Sequence, residues 1–308
     1  MGSIIKSTFK LLFSRMSRVL PMAVVLVLAG SSFCWAQIYP LSAQFYHNEY
    51  LGNPSFAGIE KGYRLDFSHR TQWSDVPGAP VNQVFTAVLG TKRVGIGLNV
   101  QKDIEGLIDN VRALSTFAYH LPINDARQLH FGLSMGVLNQ RVRNESLVGD
   151  QGDISVEKYN NKDFYVDGDF GMAYTAKKLK LQFSIPNLKS FFRSDNDQVA
   201  NLALIYSAVS YKMSFGKGIN QVSIEPKLGY RKVQKYKSIL DLGTNVSLSN
   251  DRLSLLGIYH SPGNSTFGIG FNYNKALGMS AMYTTGTSAL RRFNSTGDFE
   301  INLRFSFQ

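Results

Sequence analysis

From residue 62 onward, apolar and polar side chains alternate along the chain. A period of two places successive side chains on opposite faces of a β-strand, whereas an amphipathic helix repeats every 3.6 residues. The clearest alternating runs are Tyr63–Trp73, Val94–Val100, Leu129–Val137, Phe164–Tyr174, Leu179–Ile185, Val222–Tyr230, Leu253–Tyr259, Phe267–Tyr273, Leu277–Tyr283 and Phe299–Phe307. The pattern therefore predicts an all-β protein whose strands each carry one apolar face.

Less regular segments near Gln83, Val111, Asn201 and Ile239 complete the set. Together they predict about fourteen antiparallel strands, an even number of a length suited to crossing a bilayer at a tilt. Strands of a soluble β-sandwich are usually shorter. The predicted fold is a transmembrane outer-membrane β-barrel.

The connections between these strands follow their own pattern. Even-numbered connections are mostly tight, namely Gly90–Arg93, Ala176–Lys178, Gly216–Ile219, Ser249–Asp251 and Lys275–Ala276. Odd-numbered ones are mostly longer, namely Ser74–Asn82, Arg141–Lys162, Pro186–Val199 and Gly286–Gly297. Ser261–Asn264 is a short exception and Leu121–Arg127 is a longer even one. Because outer-membrane barrels have short periplasmic turns and long extracellular loops, both termini are predicted to be periplasmic.

The last strand has the clearest alternation. Its apolar positions are Phe299, Ile301, Leu303, Phe305 and Phe307, and polar residues stand between them. One face suits lipid and the other suits a polar lumen, although a soluble barrel would share the alternation. Lipid offers no hydrogen bonds to an unpaired strand edge, so this strand is predicted to close the barrel against Tyr63–Trp73.

The N-terminal region resembles a cleaved signal peptide over residues 1–36. Basic residues precede the apolar run Leu20–Ala29, and Cys34 and Ala36 provide small residues before a cut that leaves Gln37 first. The run is too short for a transmembrane anchor, and bulky Phe33 disfavours a lipidated cysteine. Residues 37–61, interrupted by prolines and Gly58, are predicted to lie in the periplasm or to plug the lumen, and residues 62–308 to form the barrel.

Charge narrows the choice of partners. The net charge of +11 falls to +7 in the mature chain, because the leader removes Lys6, Lys10, Arg15 and Arg18 and no acidic residue. No basic cluster has the form of a nucleic-acid-binding motif. Attraction to anionic outer-membrane lipid or to an acidic protein is therefore favoured over nucleic acid.

Candidate catalytic and metal sites are weak. The histidines lack metal-ligand spacing, and neither Asp103, Glu105 and Asp109 nor Asp150, Asp153 and Glu157 match a calcium loop. In Ser68-His69 and His260-Ser261, neighbouring strand residues point to opposite faces, so a hydrolase would need one of these serines near a histidine from another strand. We predict no enzyme activity, no cofactor and no metal. The glycines of Gly95–Gly97 and Gly268–Gly270 are interpreted as strand glycines facing a crowded lumen.

One set of motifs is more specific. The sequence contains N-P-S-F-A-G at Asn53–Gly58, R-T-Q-W at Arg70–Trp73, P-G-A-P at Pro77–Pro80, G-I-G-L-N-V at Gly95–Val100, F-G-L at Phe131–Leu133 and a terminal G-D-F-E-I-N-L-R-F-S-F at Gly297–Phe307. Their order and spacing resemble the PorP/SprF family of Bacteroidota, across nearly all of the mature chain. The resemblance implies an outer-membrane protein linked to type IX secretion and gliding motility.

The resemblance also implies partners. These are a secreted adhesin or another surface protein with a C-terminal sorting domain, and periplasmic components of the secretion machinery. Candidate partner-binding or plug residues are Asn53, Pro54, Ala57, Gly58, Arg70, Gln72, Trp73, Pro77, Gly78, Ala79 and Pro80. The same residue types would also serve folding alone. A passive porin or small-molecule transporter is the alternative function, because a lumen of this size conducts unless it is filled.

Overall fold

The computed structural model describes residues 43–44, 46–72, 78–143, 160, 164–189, 204–233, 238–273, 276–287 and 297–307. All of them belong to one compact unit, Tyr39–Gln308. The predicted signal peptide and the candidates Trp73 and Pro77 lie outside the described residues. No helix in the described part of the chain is long and apolar enough to cross a membrane.

Fifteen strand segments form one antiparallel sheet. They are β1 Gly62–Gln72, β2 Val81–Gly90, β3 Val94–Glu105, β4 Ile108–Asn124, β5 Arg127–Val142, β6 Tyr165–Ala176, β7 Leu179–Ile185, β8 Leu204–Tyr211, β9 Met213–Phe215, β10 Val222–Val233, β11 Ile239–Leu248, β12 Leu253–His260, β13 Asn264–Tyr273, β14 Leu277–Thr284 and β15 Asp298–Phe307. β8 and β9 both pair with β10 and are separated by Lys212, so they form one barrel strand. The prediction of a fourteen-stranded barrel is confirmed.

The sheet closes on itself between its first and last strands. Register pairs run from Tyr63 with Phe307 to Gln72 with Asp298. Every strand therefore has two neighbours, which satisfies backbone hydrogen bonds that lipid cannot satisfy.

The wall has an apolar outside and a polar inside. On β15 the outward Phe299 and Phe307 are 50% and 56% exposed, while the inward Glu300 and Asn302 are 1% and 3% exposed. On β5 the outward Met135 is 66% exposed, and Ser134 beside it is buried. Exposed apolar rows with buried polar rows are the arrangement expected of a barrel surrounded by lipid.

One predicted connection is wrong. Leu121–Arg127 is not a longer turn, because β4 continues to Asn124 and only Asp125 and Ala126 separate it from β5. The pairing register shifts between Pro122 and Asn124, and a proline is tolerated at such an irregularity because it has no N–H to pair. Every even-numbered connection whose two flanking strand ends are described is therefore short. Among the odd ones, Gly106–Leu107 is also a tight turn.

The two ends of the barrel are named by these connections. The turn end carries the even-numbered connections, and the loop end carries the odd-numbered ones. Inside the barrel lie the short helix α1 Glu49–Gly52 and the 3-10 helix Pro54–Phe56. Both belong to residues 43–44 and 46–61, called the luminal segment below.

Candidate functional site

The luminal segment is bonded to inward-facing side chains on opposite parts of the wall. The contacts at its first half are Ala43 N to Glu300 Oε2 at 2.8 Å, Gln44 Nε2 to Glu300 Oε1 at 2.8 Å, Asn48 Nδ2 to Thr86 Oγ1 at 3.0 Å and Tyr50 OH to Thr116 Oγ1 at 2.7 Å. These partners stand on β15, β2 and β4. The segment therefore crosses the lumen instead of following one wall.

Asn53 fixes the sharp turn at the centre of the segment. Its Oδ1 accepts bonds from the backbone N–H and the hydroxyl of Ser55 at 3.0 and 2.7 Å, which caps the 3-10 helix. Pro54 occupies the first helical position, where its missing N–H costs nothing. The Asn53 amide donates to the backbone carbonyls of Met172 and Phe183, both at 3.2 Å. One buried side chain thus joins the segment to β6 and β7.

The end of the segment is held by a chain of histidines. His120 Nε2 lies 3.0 Å from the carbonyl oxygen of Ala57, so this nitrogen must carry the proton. Its Nδ1 then accepts from His130 Nδ1 at 2.9 Å, and His130 Nε2 accepts from Thr175 Oγ1 at 2.9 Å. Two neutral imidazoles satisfy every bond in this row. They hold the segment at the turn end of the barrel.

Glu49 is the charged anchor of the segment. Lys180 Nζ donates to its Oε2 at 2.7 Å and Lys227 Nζ to its Oε1 at 2.9 Å. Lys180 also lies 3.4 Å from Glu225 on β10. Burial opposes ionisation of Glu49, but the two ammonium groups outweigh it and lower the pKa of Glu49 to about 2. The segment is thereby tied to β7 and β10 by two partly buried ion pairs, in which Lys227 is the most buried group.

Comparison with known proteins decides the family. The family model described as type IX secretion system membrane protein PorP/SprF matches residues 35–305. This chain belongs to the PorP/SprF family. No curated protein sequence matches it at a significant level.

Solved structures similar to this PorP/SprF protein share its fold at low identity. The Ralstonia pickettii toluene transporter TbuX has a TM-score of 0.50 and 11% identity, over 83% of this chain and 92% of its own. Omp33 of Acinetobacter baumannii has a TM-score of 0.47 and 9% identity, over 81% of this chain and 100% of its own. TbuX supports a barrel fold for the PorP/SprF protein and nothing finer.

The candidate residues predicted from the PorP/SprF motifs fall into two places. Asn53, Pro54, Ala57 and Gly58 lie in the luminal segment. The second group lies on β1 and just after it, at the loop end. There Arg70 points inward and pairs with Asp298, Gln72 N donates to Pro80 O at 2.9 Å, and Gly78 and Ala79 precede Pro80 at the barrel mouth. The structure does not bring the two groups into one site.

Several residues that hold the luminal segment were not predicted from the sequence. Glu49, Lys180, Lys227, Glu300, His120 and His130 hold the luminal segment. The sequence signal that could have identified them is their position in the alternation, because each of the strand residues among them is a polar residue at a lumen-facing position. The alternation identifies which side chains face inward. It does not identify which of them meet across the barrel.

Wall glycines make room for the segment. A Cβ on Gly132 would overlap the backbone of Pro54 and Ser55, and one on Gly95 would overlap Ala57. This confirms the interpretation of Gly95 as a strand glycine facing a crowded lumen. Gly58 itself has a φ of +68° and packs on Gly90 and Gly95, where any side chain would clash with backbone.

These contacts predict a selective effect of alanine in the wall. Gly132→Ala is expected to displace the luminal segment, because backbone cannot yield as a flexible side chain would. Gly229→Ala is the matched control, since a Cβ on this inward-facing glycine meets only ordinary contacts beginning at 3.4 Å. Limited proteolysis of the folded barrels measures the result. Cleavage in the segment should rise for Gly132→Ala only, and equal cleavage of both variants would contradict the packing.

A pH dependence follows from His47. Burial, with Arg304 and Lys227 nearby, lowers the pKa of His47 from 6.5 to about 4. Between pH 6.5 and about 4, His47 binds a proton when the luminal segment is released but stays neutral when the segment is docked. Docking therefore weakens as pH falls from 6.5 towards 4. Glu49 acts in the next window, since its contribution is lost between pH 4.5 and about 2. In planar bilayers, conductance should rise in two stages on acidification, and His47→Asn should reduce the first stage while leaving the second unchanged.

Catalysis finds little support among the described residues. Ser68 Oγ donates to Glu300 at 3.5 Å, and Ser261 Oγ accepts from Leu240 N at 3.0 Å, so neither serine meets a histidine. His260 does link Asp241 to the Thr266 hydroxyl at 2.6 and 2.9 Å. Thr266 is 0% exposed and also bonds Thr284, which leaves no room for a substrate. No group of three or more potential metal ligands occurs among the described residues.

Proposed function

We propose that this PorP/SprF protein helps the type IX machinery to export a partner or to retain it at the cell surface. The partner is a gliding adhesin or another substrate with a C-terminal sorting domain. Family membership over residues 35–305 is the observation that carries the proposal. The turn end and both termini face the periplasm, in keeping with the short turns of outer-membrane barrels.

The occupied lumen supports this role over passive diffusion. A passive porin needs a continuous water-filled path, whereas outer-membrane transporters can have a plugged lumen. The luminal segment bonds to β2, β4, β6, β7, β10 and β15, and acts as a plug. A blocked barrel serves as a membrane-embedded docking platform.

The two groups of motif residues have different proposed roles. Asn53, Pro54, Ala57 and Gly58 hold the plug. Arg70, Gln72, Gly78, Ala79 and Pro80 form a stiff element at the extracellular mouth, and the candidates Trp73 and Pro77 between them lie outside the described residues. Proline and aromatic surfaces lose little entropy on binding, which suits protein recognition.

Affinity purification from native outer membrane tests the proposal. The tagged protein is cross-linked in cells and its partners are identified by mass spectrometry. Surface proteins with C-terminal sorting domains and periplasmic secretion components are expected, and Pro80→Ala with Gln72→Ala should reduce recovery of the former. If neither surface proteins with sorting domains nor periplasmic secretion components are recovered from cells that make the wild-type protein, the proposal is overturned.

A further inference from the structure

We infer that the turn end of the barrel is a docking site for an acidic peptide segment of a periplasmic protein. The inference rests on the proposed function for its orientation. It deepens that function, because it gives the chemistry by which a partner on the inner side is recognised.

The first observation is the charge of the turn end. Basic residues dominate its described positions, and most of them are exposed: Lys61, Lys92, Arg93, Arg127, Lys177, Lys178, Lys212, Lys217 and Arg252. The acidic residues at the same positions are fewer: Glu60, Asp125 and Asp251. Within the described residues, Lys212 with Asp251 is the ion pair formed among them. Among the described residues, this rim therefore has an excess of positive charge.

The loop end differs. Three inward-facing arginines among its described residues are paired with carboxylates, Arg70 with Asp298, Arg112 with Asp169 at 2.6 Å and Arg231 with Asp241 at 2.6 Å. Charges paired in this way stabilise the wall and offer little to an incoming partner. The exposed cations of the turn end attract an acidic partner.

The second observation is a recess within the rim. A cavity of about 950 Å³ opens there between the end of the luminal segment, the start of β1, the β11–β12 turn and the end of β15. Lys61, Arg64, Arg252 and Arg304 line it, against Glu60 and Asp251. Asp66 lies between Arg64 and Arg304, at 3.2 and 2.8 Å from their Nε atoms. Lys61 and Arg252 remain exposed and available at its edge.

The recess favours a peptide over lipid headgroups. Headgroups surround the outer wall of a barrel, whereas the charged residues that line this cavity include Arg64 and Arg304, which face the lumen beside Asp66, and only Tyr63 and Phe307 at its edge face outward. An extended segment with Asp or Glu side chains can enter it and place carboxylates on Arg252 and Lys61. Charge complementarity of this kind sets the association rate and the choice of partner.

Binding of a fluorescein-labelled poly-glutamate peptide to the purified barrel tests the inference. Lys61→Glu with Arg252→Glu reverses two exposed recess charges, and is expected to weaken binding about tenfold or more. Lys92→Glu with Arg93→Glu reverses two exposed charges elsewhere on the rim, and should weaken it by less than about threefold. Heat-modifiable mobility in gels verifies that each variant is folded.

Three outcomes would overturn the inference. They are absence of peptide binding, equal loss in both variants, and displacement of the peptide by an equal concentration of glycerol phosphate, which would make the recess a headgroup site. The assay needs neither secretion machinery nor a substrate. Its failure would therefore leave the proposed role in secretion standing, and loss of that role would not change the peptide result.

Discussion

Removing residues 43–58 is expected to turn a poorly conducting barrel into an open pore. The segment fills the middle of the lumen, and fourteen strands without it enclose a channel wide enough for ions, so single-channel conductance should rise at least about tenfold. Planar-bilayer recording of the purified wild type and the deletion variant measures the difference. The expected wild-type trace is quiet, with rare openings when the segment leaves.

Point variants test whether a folding defect of the deletion variant, and not loss of the segment, causes the higher conductance. Gly132→Ala should raise conductance in the same direction without deleting any residue, and Gly229→Ala should not. A wild-type barrel with large, steady conductance would contradict the plug. So would a folded deletion variant that conducts no better than the wild type.

Reversing the charge of Glu49 is expected to release the segment from the wall. Glu49→Lys leaves Lys227 buried without its carboxylate and adds a third cation beside Lys180. Breaking a buried ion pair costs about 3–5 kcal/mol, so the released fraction should rise by about two to four orders of magnitude. The rate of proteolytic cleavage within the luminal segment reports that fraction.

An exposed ion pair provides the control for Glu49. Lys102 and Asp109 lie 3.2 Å apart with side chains 43% and 24% exposed, and such pairs contribute about 1 kcal/mol or less. Asp109→Asn should leave cleavage of the segment unchanged. If Glu49→Lys were equally resistant, the ion pairs with Lys180 and Lys227 would not be what holds the segment.

The wall of the barrel was predictable because its signal is local. Alternation along Phe299–Phe307 contains both the lipid face and the luminal face, and closure against β1 follows from the lack of hydrogen bonds in lipid. The turn between β4 and β5 was misjudged because Pro122 is usually a sign that a strand has ended. Here it sits at a register shift, where its missing N–H is harmless.

The content of the lumen was not predictable in the same way. Asn53 bonds to Phe183, and Ala43 bonds to Glu300, over 130 and 257 residues of sequence. No spacing rule connects residues so far apart. The motif N-P-S-F-A-G indicated a fixed turn, but its position inside the barrel depends on glycines of β3, β5 and β6 that leave room for it.

The proposed role of this PorP/SprF protein is in protein secretion and not in diffusion. Quantitative proteomics of proteins shaved by protease from intact cells tests it most directly, in a strain with the gene deleted and in the same strain with the gene restored. One or more surface proteins with C-terminal sorting domains are expected to disappear on deletion and to return on restoration. An unchanged set of surface proteins, together with loss of small-solute uptake, would contradict it.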